Sequence, residues 1–131
     1  GLVNILLDTH TLLWLVSQPS AVDSEVLDQL ADPANTVSVS AASAWEIAIK
    51  TRLGRLEGST LLATWAGQLE AMRVDDLPID SDDAILAGRL PWQHRDPFDR
   101  VIVAQALRRN LTIATRDAKI LDSALTPTLK A

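Results

Sequence analysis

Four acids stand out by their surroundings. Asp8 closes the apolar run Val3-Asn4-Ile5-Leu6-Leu7, and Glu46 sits among Ala44, Trp45, Ile47, Ala48 and Ile49. Asp99 follows Asp96-Pro97-Phe98, and Asp117 lies two residues beyond Leu111-Thr112-Ile113-Ala114-Thr115. A glutamate in so apolar a helix is rarely buried without a partner. Ionised carboxylates brought together repel and raise one another's pKa. Hard divalent cations with oxygen ligands offset that repulsion best, and Mg²⁺ or Mn²⁺ takes carboxylates plus waters. Such ions activate water and stabilise the leaving oxygen of a phosphodiester. The chemistry expected of these acids is metal-dependent phosphoryl transfer to water, with one or two ions held by Asp8, Glu46, Asp99 and Asp117.

Bases accompany the acids. Lys50, Arg52 and Arg55 follow Glu46, Arg95 and Arg100 flank Asp99, and Arg116 and Lys119 flank Asp117, seven of twelve basic residues. Such groups position a phosphate backbone whatever the net charge. Arg100, Arg116, Lys50 and the Thr115 hydroxyl are the candidate substrate contacts. The same positions have plainer explanations. Asp96 and Asp99 suit the cap and third position of a helix, and Asp117 suits another cap. His10 reads as a packing or supporting histidine, and His94 as a solvated loop residue. Trp14 and Trp45 read as core, whereas Trp92, in the loop before Asp96, is placed to stack a base. None of these explanations requires the acids to share one edge.

The elements predict that shared edge. Val3–Asp8 reads as a buried strand, Thr36–Ser40 alternates like one, Asp75–Ile79 is a weaker one, and Leu111–Thr115 is another. Pro127–Leu129 has the pattern of a last edge strand. Helical spacing covers Thr11–Gln18, Val22–Ala31, Ser40–Leu53 with Gly54 at its end, Ser59–Arg73 and Asp80–Leu90. Asp96 then caps a helix with Pro97 at its first position and Asn110 as its stop, and Arg116–Ala124 is a short helix. This alternation means a parallel sheet of four to five strands with helices on both faces, a three-layer α/β/α sandwich. Ligands bind outside the carboxyl ends of such strands. Asp8 ends the first strand there, and Asp117 follows the fourth. Glu46 lies roughly 9 Å up the helix after the second. Asp99 starts a helix that runs antiparallel to the strands, so it begins at the same edge.

Composition narrows the alternatives. Hydrophobic residues make up 47% of the 131 and charged residues 22%, the balance of a soluble globular protein with one domain over residues 1–131. The net charge of −5 argues against coating nucleic acid by bulk charge, not against an enzyme that brings metal ions. With no cysteine, disulfide scaffolds, thiol catalysis, zinc ribbons and iron–sulfur sites are excluded. Two histidines are too few for a zinc site built on imidazoles. No apolar run approaches the roughly 20 residues of a membrane span, so no membrane role is expected. Gly1-Leu2-Val3-Asn4 has no basic region, cleavage site or initiator Met. Gly1 is therefore expected to be a cloning remnant, with no secretory signal and a cytoplasmic location.

The chain resembles the PIN-domain family, and within it the VapC-type toxins of bacterial toxin–antitoxin pairs. The resemblance rests on Leu6-Leu7-Asp8-Thr9-His10-Thr11-Leu12-Leu13-Trp14 and Ser40-Ala41-Ala42-Ser43-Ala44-Trp45-Glu46-Ile47-Ala48-Ile49-Lys50. It continues through His94-Arg95-Asp96-Pro97-Phe98-Asp99-Arg100-Val101-Ile102-Val103-Ala104-Gln105-Ala106 and Leu111-Thr112-Ile113-Ala114-Thr115-Arg116-Asp117. Each block alone is weak; all four in order are specific. The resemblance implies a Mg²⁺- or Mn²⁺-dependent endoribonuclease that inhibits translation. Asp8, Glu46, Asp99 and Asp117 would serve as catalytic metal ligands, and Asp96 as an additional acid of the subfamily. It also implies a homodimer and a cognate antitoxin, a small DNA-binding protein whose tail crosses the acidic pocket. Thr126–Ala131 is short for the family's last strand.

Two rivals remain. Asp8-Thr9-His10-Thr11 loosely resembles the nucleophile motif of haloacid-dehalogenase phosphatases, but His10 stands where that family needs a second Asp. The other is a non-catalytic module whose acidic pocket only binds a partner's basic segment.

Overall fold

A computed structural model describes residues 2–131. The chain runs through β1 (Asn4–Leu7), α1 (Thr9–Ser17), a 3₁₀ turn (Pro19–Ala21), α2 (Ser24–Ala31), β2 (Thr36–Ser40) and α3 (Ala41–Arg52). It continues with α4 (Ser59–Ala63), α5 (Trp65–Met72), β3 (Asp75–Leu77), α6 (Ser81–Arg89) and α7 (Pro97–Arg109). The remainder is β4 (Thr112–Thr115), α8 (Ala118–Ser123) and β5 (Thr128–Lys130). The five strands pair in parallel in the order β3-β2-β1-β4-β5.

Strand β1 shows why the middle of the sheet is apolar on both faces. Ile5, Leu6 and Leu7 are each 0% exposed. Ile5 and Leu7 face one core, with Leu12, Val26, Ile47, Leu61 and Leu69. Leu6 faces the other, with Ala87, Ile102, Val103, Ala106 and Ile120. Alternating side chains of one strand therefore serve two helical layers. Full burial of one such side chain contributes about 1.5–3 kcal/mol.

The order of strands decides where a ligand can sit. From β1 the chain steps outward to β2 and β3, then returns to β4 on the opposite side of β1. The β1/β4 boundary is thus the topological switch point, where neighbouring connections part and leave a crevice at the carboxyl edge. Register sets Leu7 opposite Ala114, so Asp8 and Thr115 emerge side by side.

Several boundaries differ from the sequence expectation. Ser59–Arg73 is two helices, because Thr64 at the break has φ −117° and returns its hydroxyl to Thr60 O at 2.8 Å. Gly58, not Ser59, precedes the first of them. Asp8 both follows β1 and caps α1, so that helix starts at Thr9. The helix expected from Val22 begins at Ser24, where the Asp23 side chain caps it. Trp45 is not core: it is 56% exposed and meets Phe98 edge-on at 5.0 Å.

At the end away from the acids, α6 and α7 are clamped together. Asp83, fully buried, receives Arg108 and Arg109 at 2.5 and 2.6 Å. Burial pushes its carboxyl up, but hydrogen bonds from Arg109, the Asp80 backbone, Arg108 and Gln105 win and hold it well below the usual carboxylate range. Among the described residues no helix is long and apolar enough to cross a membrane.

Candidate active site

Each acid is presented by a local backbone feature. Asp8, 3% exposed, caps α1: one oxygen accepts from Thr11 N–H at 2.9 Å. The other accepts from the Thr115 hydroxyl at 2.5 Å. That hydroxyl accepts in turn from Asp117 N–H at 3.0 Å. Thr115, 0% exposed, therefore joins the acid after β1 to the acid after β4. Asp117 caps α8 through Lys119 N–H at 2.8 Å.

Glu46 reaches the same edge from α3. Ser40 caps that helix, and Ser43 ties it to the start of α1 through Thr9 at 2.9 Å. Glu46 is 4% exposed. Its Oε2 accepts from Lys50 at 2.6 Å, one turn on, while Oε1 is buried with no hydrogen-bond partner among the described residues. A buried carboxylate oxygen left unpaired is costly and is unusual in native interiors.

Asp99 enters from α7, which Asp96 caps through Asp99 N–H at 3.0 Å. His94 Nε2 donates to Asp99 Oδ2 at 2.7 Å. Burial pushes the Asp99 carboxyl up; the His94 bond opposes this, and the charges of Asp96, Asp117 and Glu46 add to it, bringing it to about 6. Asp8, Glu46, Asp99 and Asp117 line one cavity of about 210 Å³, together with Thr9, His10, Lys50, His94, Asp96 and Lys119. Within it, donor atoms of His94, Asp96 and Asp99 all lie within 4.8 Å of one another. A larger recess of about 950 Å³, between residues such as Glu25 and Leu129, contains none of the four acids.

The other candidate residues separate. Arg100 is not a substrate contact: all its nitrogens turn inward, to the carbonyls of Ala87, Leu90, Trp92 and His94 at 2.7–3.0 Å. It holds the loop that carries His94 against Asp99. Arg116 likewise points away from the acids, with its guanidinium 4.1 Å above the Trp14 ring and bonded to the carbonyls of Ala21 and Ala131. Thr115 spends its hydroxyl on Asp8 and Asp117, so it positions acids rather than meeting a strand. Lys50 lines the cavity. His94, expected as a solvated loop residue, is half-buried against Asp99, and its ring meets that of Trp92 at a tilt of 56° with centroids 4.9 Å apart. Its place five residues before Asp99, in a block already dense in chemistry, was the available signal.

What this arrangement can do follows from its charges. It gathers five carboxylates against two lysines, leaves one buried carboxylate oxygen without a partner among the described residues, and offers oxygen donors with two imidazoles at its rim. That donor set suits a hard divalent cation.

Known proteins are similar to this chain in sequence and in fold. A ribonuclease, VapC22 of Mycobacterium tuberculosis, is 28% identical over 120 residues, 91% of each chain. Among solved structures, VapBC2 of Rickettsia felis bound to a promoter DNA fragment matches with a TM-score of 0.72 at 15% identity, over 96% of this chain and 97% of that one. FitAcB of Neisseria gonorrhoeae matches with a TM-score of 0.62 at 24% identity, over 96% of both chains. These structural likenesses concern the fold. A sequence model of the PIN domain matches residues 5–124, from within β1 to just past α8. That span takes in every acid of the cavity and the crossovers that bring them together, and the chain belongs to the PIN-domain family.

Proposed function

We propose that residues 1–131 act as one nuclease domain, a metal-dependent endoribonuclease that is the toxin of a toxin–antitoxin pair in the cytoplasm. One observation carries the reading: four carboxylates from four segments line a single cavity of about 210 Å³ in which Glu46 Oε1 has no partner. Lys50 pairs with the other oxygen of Glu46, and among the described residues no lysine or arginine lies within 4.0 Å of a carboxylate oxygen of Asp8, Asp96, Asp99 or Asp117. The likeness to a VapC ribonuclease across 91% of the chain supports RNA as the substrate.

Mg²⁺ or Mn²⁺, when bound, supplies a Lewis acid for the phosphoryl oxygens and lowers the pKa of water. Asp8, Glu46, Asp99 and Asp117 are the residues to hold it, with Asp96 as an additional acid. Asp8 is oriented for this, because Thr11 N–H and the Thr115 hydroxyl fix its two oxygens from behind. Glu46 offers Oε1 while Lys50 neutralises Oε2. His94 keeps a proton on Nε2 and so holds Asp99 in one rotamer. The reaction forms a bond from water oxygen to phosphorus and breaks one strand P–O bond, leaving a phosphate on one end and a hydroxyl on the other. A homodimer and an antitoxin partner complete the reading. Complexes with antitoxins among the structural relatives, including one from Klebsiella pneumoniae at a TM-score of 0.67, support the partner.

The test is incubation of the chain and Glu46→Gln with mixed cellular RNA in Mg²⁺, in Mn²⁺ and in EDTA. Discrete cuts that need metal and vanish in the variant are expected. An intact chain that binds Mn²⁺ or a cationic peptide and cuts no RNA would leave only a binding module. Light scattering of the eluted peak tests the dimer.

A further inference from the structure

Thr9, His10 and Lys50 line two cavities at once. One is the acidic cavity; the other, about 300 Å³, is completed by Leu13, Arg55 and Leu56. Its cations are placed by the way α3 ends. Gly54 takes φ +73°, and the reversed chain returns Arg55 N–H to Lys50 O at 2.9 Å. Four residues on, Gly58 lies against α3 so closely that a Cβ would stand 2.6 Å from Thr51 Oγ1 and 2.7 Å from Ile47 Cγ2. Both ends of this loop are thereby pinned, and Arg55 is held beside Lys50 rather than on a free tip. The Arg55 side chain is exposed and has no carboxylate within 4.0 Å among the described residues.

The contents are amphipathic: an unpaired Arg55, a Lys50 that keeps further N–H donors beyond the one it gives Glu46, an imidazole and two leucines. That suits a phosphate joined to a flat apolar ring system better than either alone. The volume sits at the low end of about 300–1,000 Å³ for small-molecule sites, room for one nucleotide unit and not for a duplex. An acidic cavity does not itself retain a polyanion, so a strand crossing it needs cations alongside. Arg100 and Arg116 are committed to internal carbonyls. Arg55 is free.

We propose that this cavity is the subsite for the nucleotide adjoining the scissile phosphate, with Arg55 and Lys50 on its phosphate and Leu13 and Leu56 against its base. The assignment rests on the nuclease reading above, and its test is arranged to fail separately. Binding of a labelled, mixed-sequence single-stranded RNA is measured by fluorescence anisotropy with Mg²⁺ at several salt concentrations. An Asp99→Asn background keeps the strand uncut. Adding Arg55→Gln is expected to weaken binding about tenfold and to reduce the slope of log affinity against log salt by about 0.7, one phosphate contact on a single strand. Arg55→Lys is expected to keep the slope. Leu56→Ser is expected to weaken binding without changing the slope. Arg73→Gln, before β3 at the opposite edge of the sheet, is expected to change neither. Equal affinity and slope for Arg55→Gln and its background would overturn the subsite. So would an Arg55 effect seen with a glutamate-rich peptide and not with RNA, which assigns the cavity to a protein partner. Failure of the unsubstituted chain to cut any RNA, with the Arg55 slope change intact, counts against the nuclease reading alone.

Discussion

Without a cation, the acidic cavity destabilises the folded chain, and Asp99→Asn measures by how much. Burial and three neighbouring carboxylates bring the Asp99 carboxyl to about 6. An unfolded aspartate titrates near 4. The difference is about 2 pKa units at 1.36 kcal/mol each, or about 3 kcal/mol. The folded state holds the proton more tightly than the unfolded one, so stability is greatest below about pH 4 and falls as pH rises through about 6. Asparagine has no charge to repel and keeps an oxygen to accept from His94, but it loses an acid in the first turn of α7, worth about 0.3–1 kcal/mol. In EDTA near pH 7.5 the variant is therefore expected to be more stable than its parent by about 2 kcal/mol. Near pH 4 the two are expected to converge, because the parent's carboxyl is then protonated. Urea unfolding followed by tryptophan fluorescence reads this as a midpoint shift of about 1 M. Added Mn²⁺ is expected to raise the parent's midpoint more than the variant's, since a ligand of the folded state alone stabilises it by mass action. An Asp99→Asn chain that is less stable in EDTA near pH 7.5, or that differs from its parent equally at both pH values, would refute the repulsion argument.

Other substitutions probe the supports. Thr115→Val removes the hydroxyl shared by Asp8 and Asp117. It is expected to weaken Mn²⁺ binding about 10–100-fold by calorimetry with the fold retained, and an unchanged affinity would deny Thr115 that role. Arg100→Lys cannot reproduce four carbonyl bonds from one planar fork. It is expected to lose about 2–4 kcal/mol in urea unfolding and to lower kcat more than it raises KM. Asp83→Asn strands Arg108 and Arg109 at the far end of α7. A loss of about 2–4 kcal/mol at neutral pH is expected. Because the Asp83 carboxyl is held low in the fold, its contribution is present above about pH 4 and fades as pH falls below that, so parent and variant should approach each other in acid.

Legibility followed the range of the interactions involved. The strands around Leu6 and Ile113 were readable because a central parallel strand is apolar on both faces, and α7 because Asp96, Pro97 and Asn110 mark its ends locally. The break at Thr64 was not readable, since it depends on a hydroxyl returning to the chain one turn back, against a pattern that continues as helix. Trp45 misled because a tryptophan amid apolar residues looks buried, and only the packing of α3 against α7 leaves it exposed beside Phe98. The arginines misled in the opposite way. Arg100 and Arg116 stand next to acids in the chain, but adjacency says nothing about direction, and their guanidinia satisfy backbone carbonyls instead.

Taken alone, the amino-acid sequence determined the parallel α/β/α architecture, the family and the edge at which the acids of separate segments meet. Periodicity and caps are local, and the topology of a parallel sheet leaves few alternatives for its carboxyl edge. Tertiary structure alone decided which polar atoms remain available there. Thr115 is consumed in holding Asp8 and Asp117, Arg100 in holding the His94 loop, while among the described residues Glu46 Oε1 has no hydrogen-bond partner and Arg55 no carboxylate partner. Each of those outcomes depends on a contact between residues brought together by the fold, and such contacts leave no periodic trace in the chain.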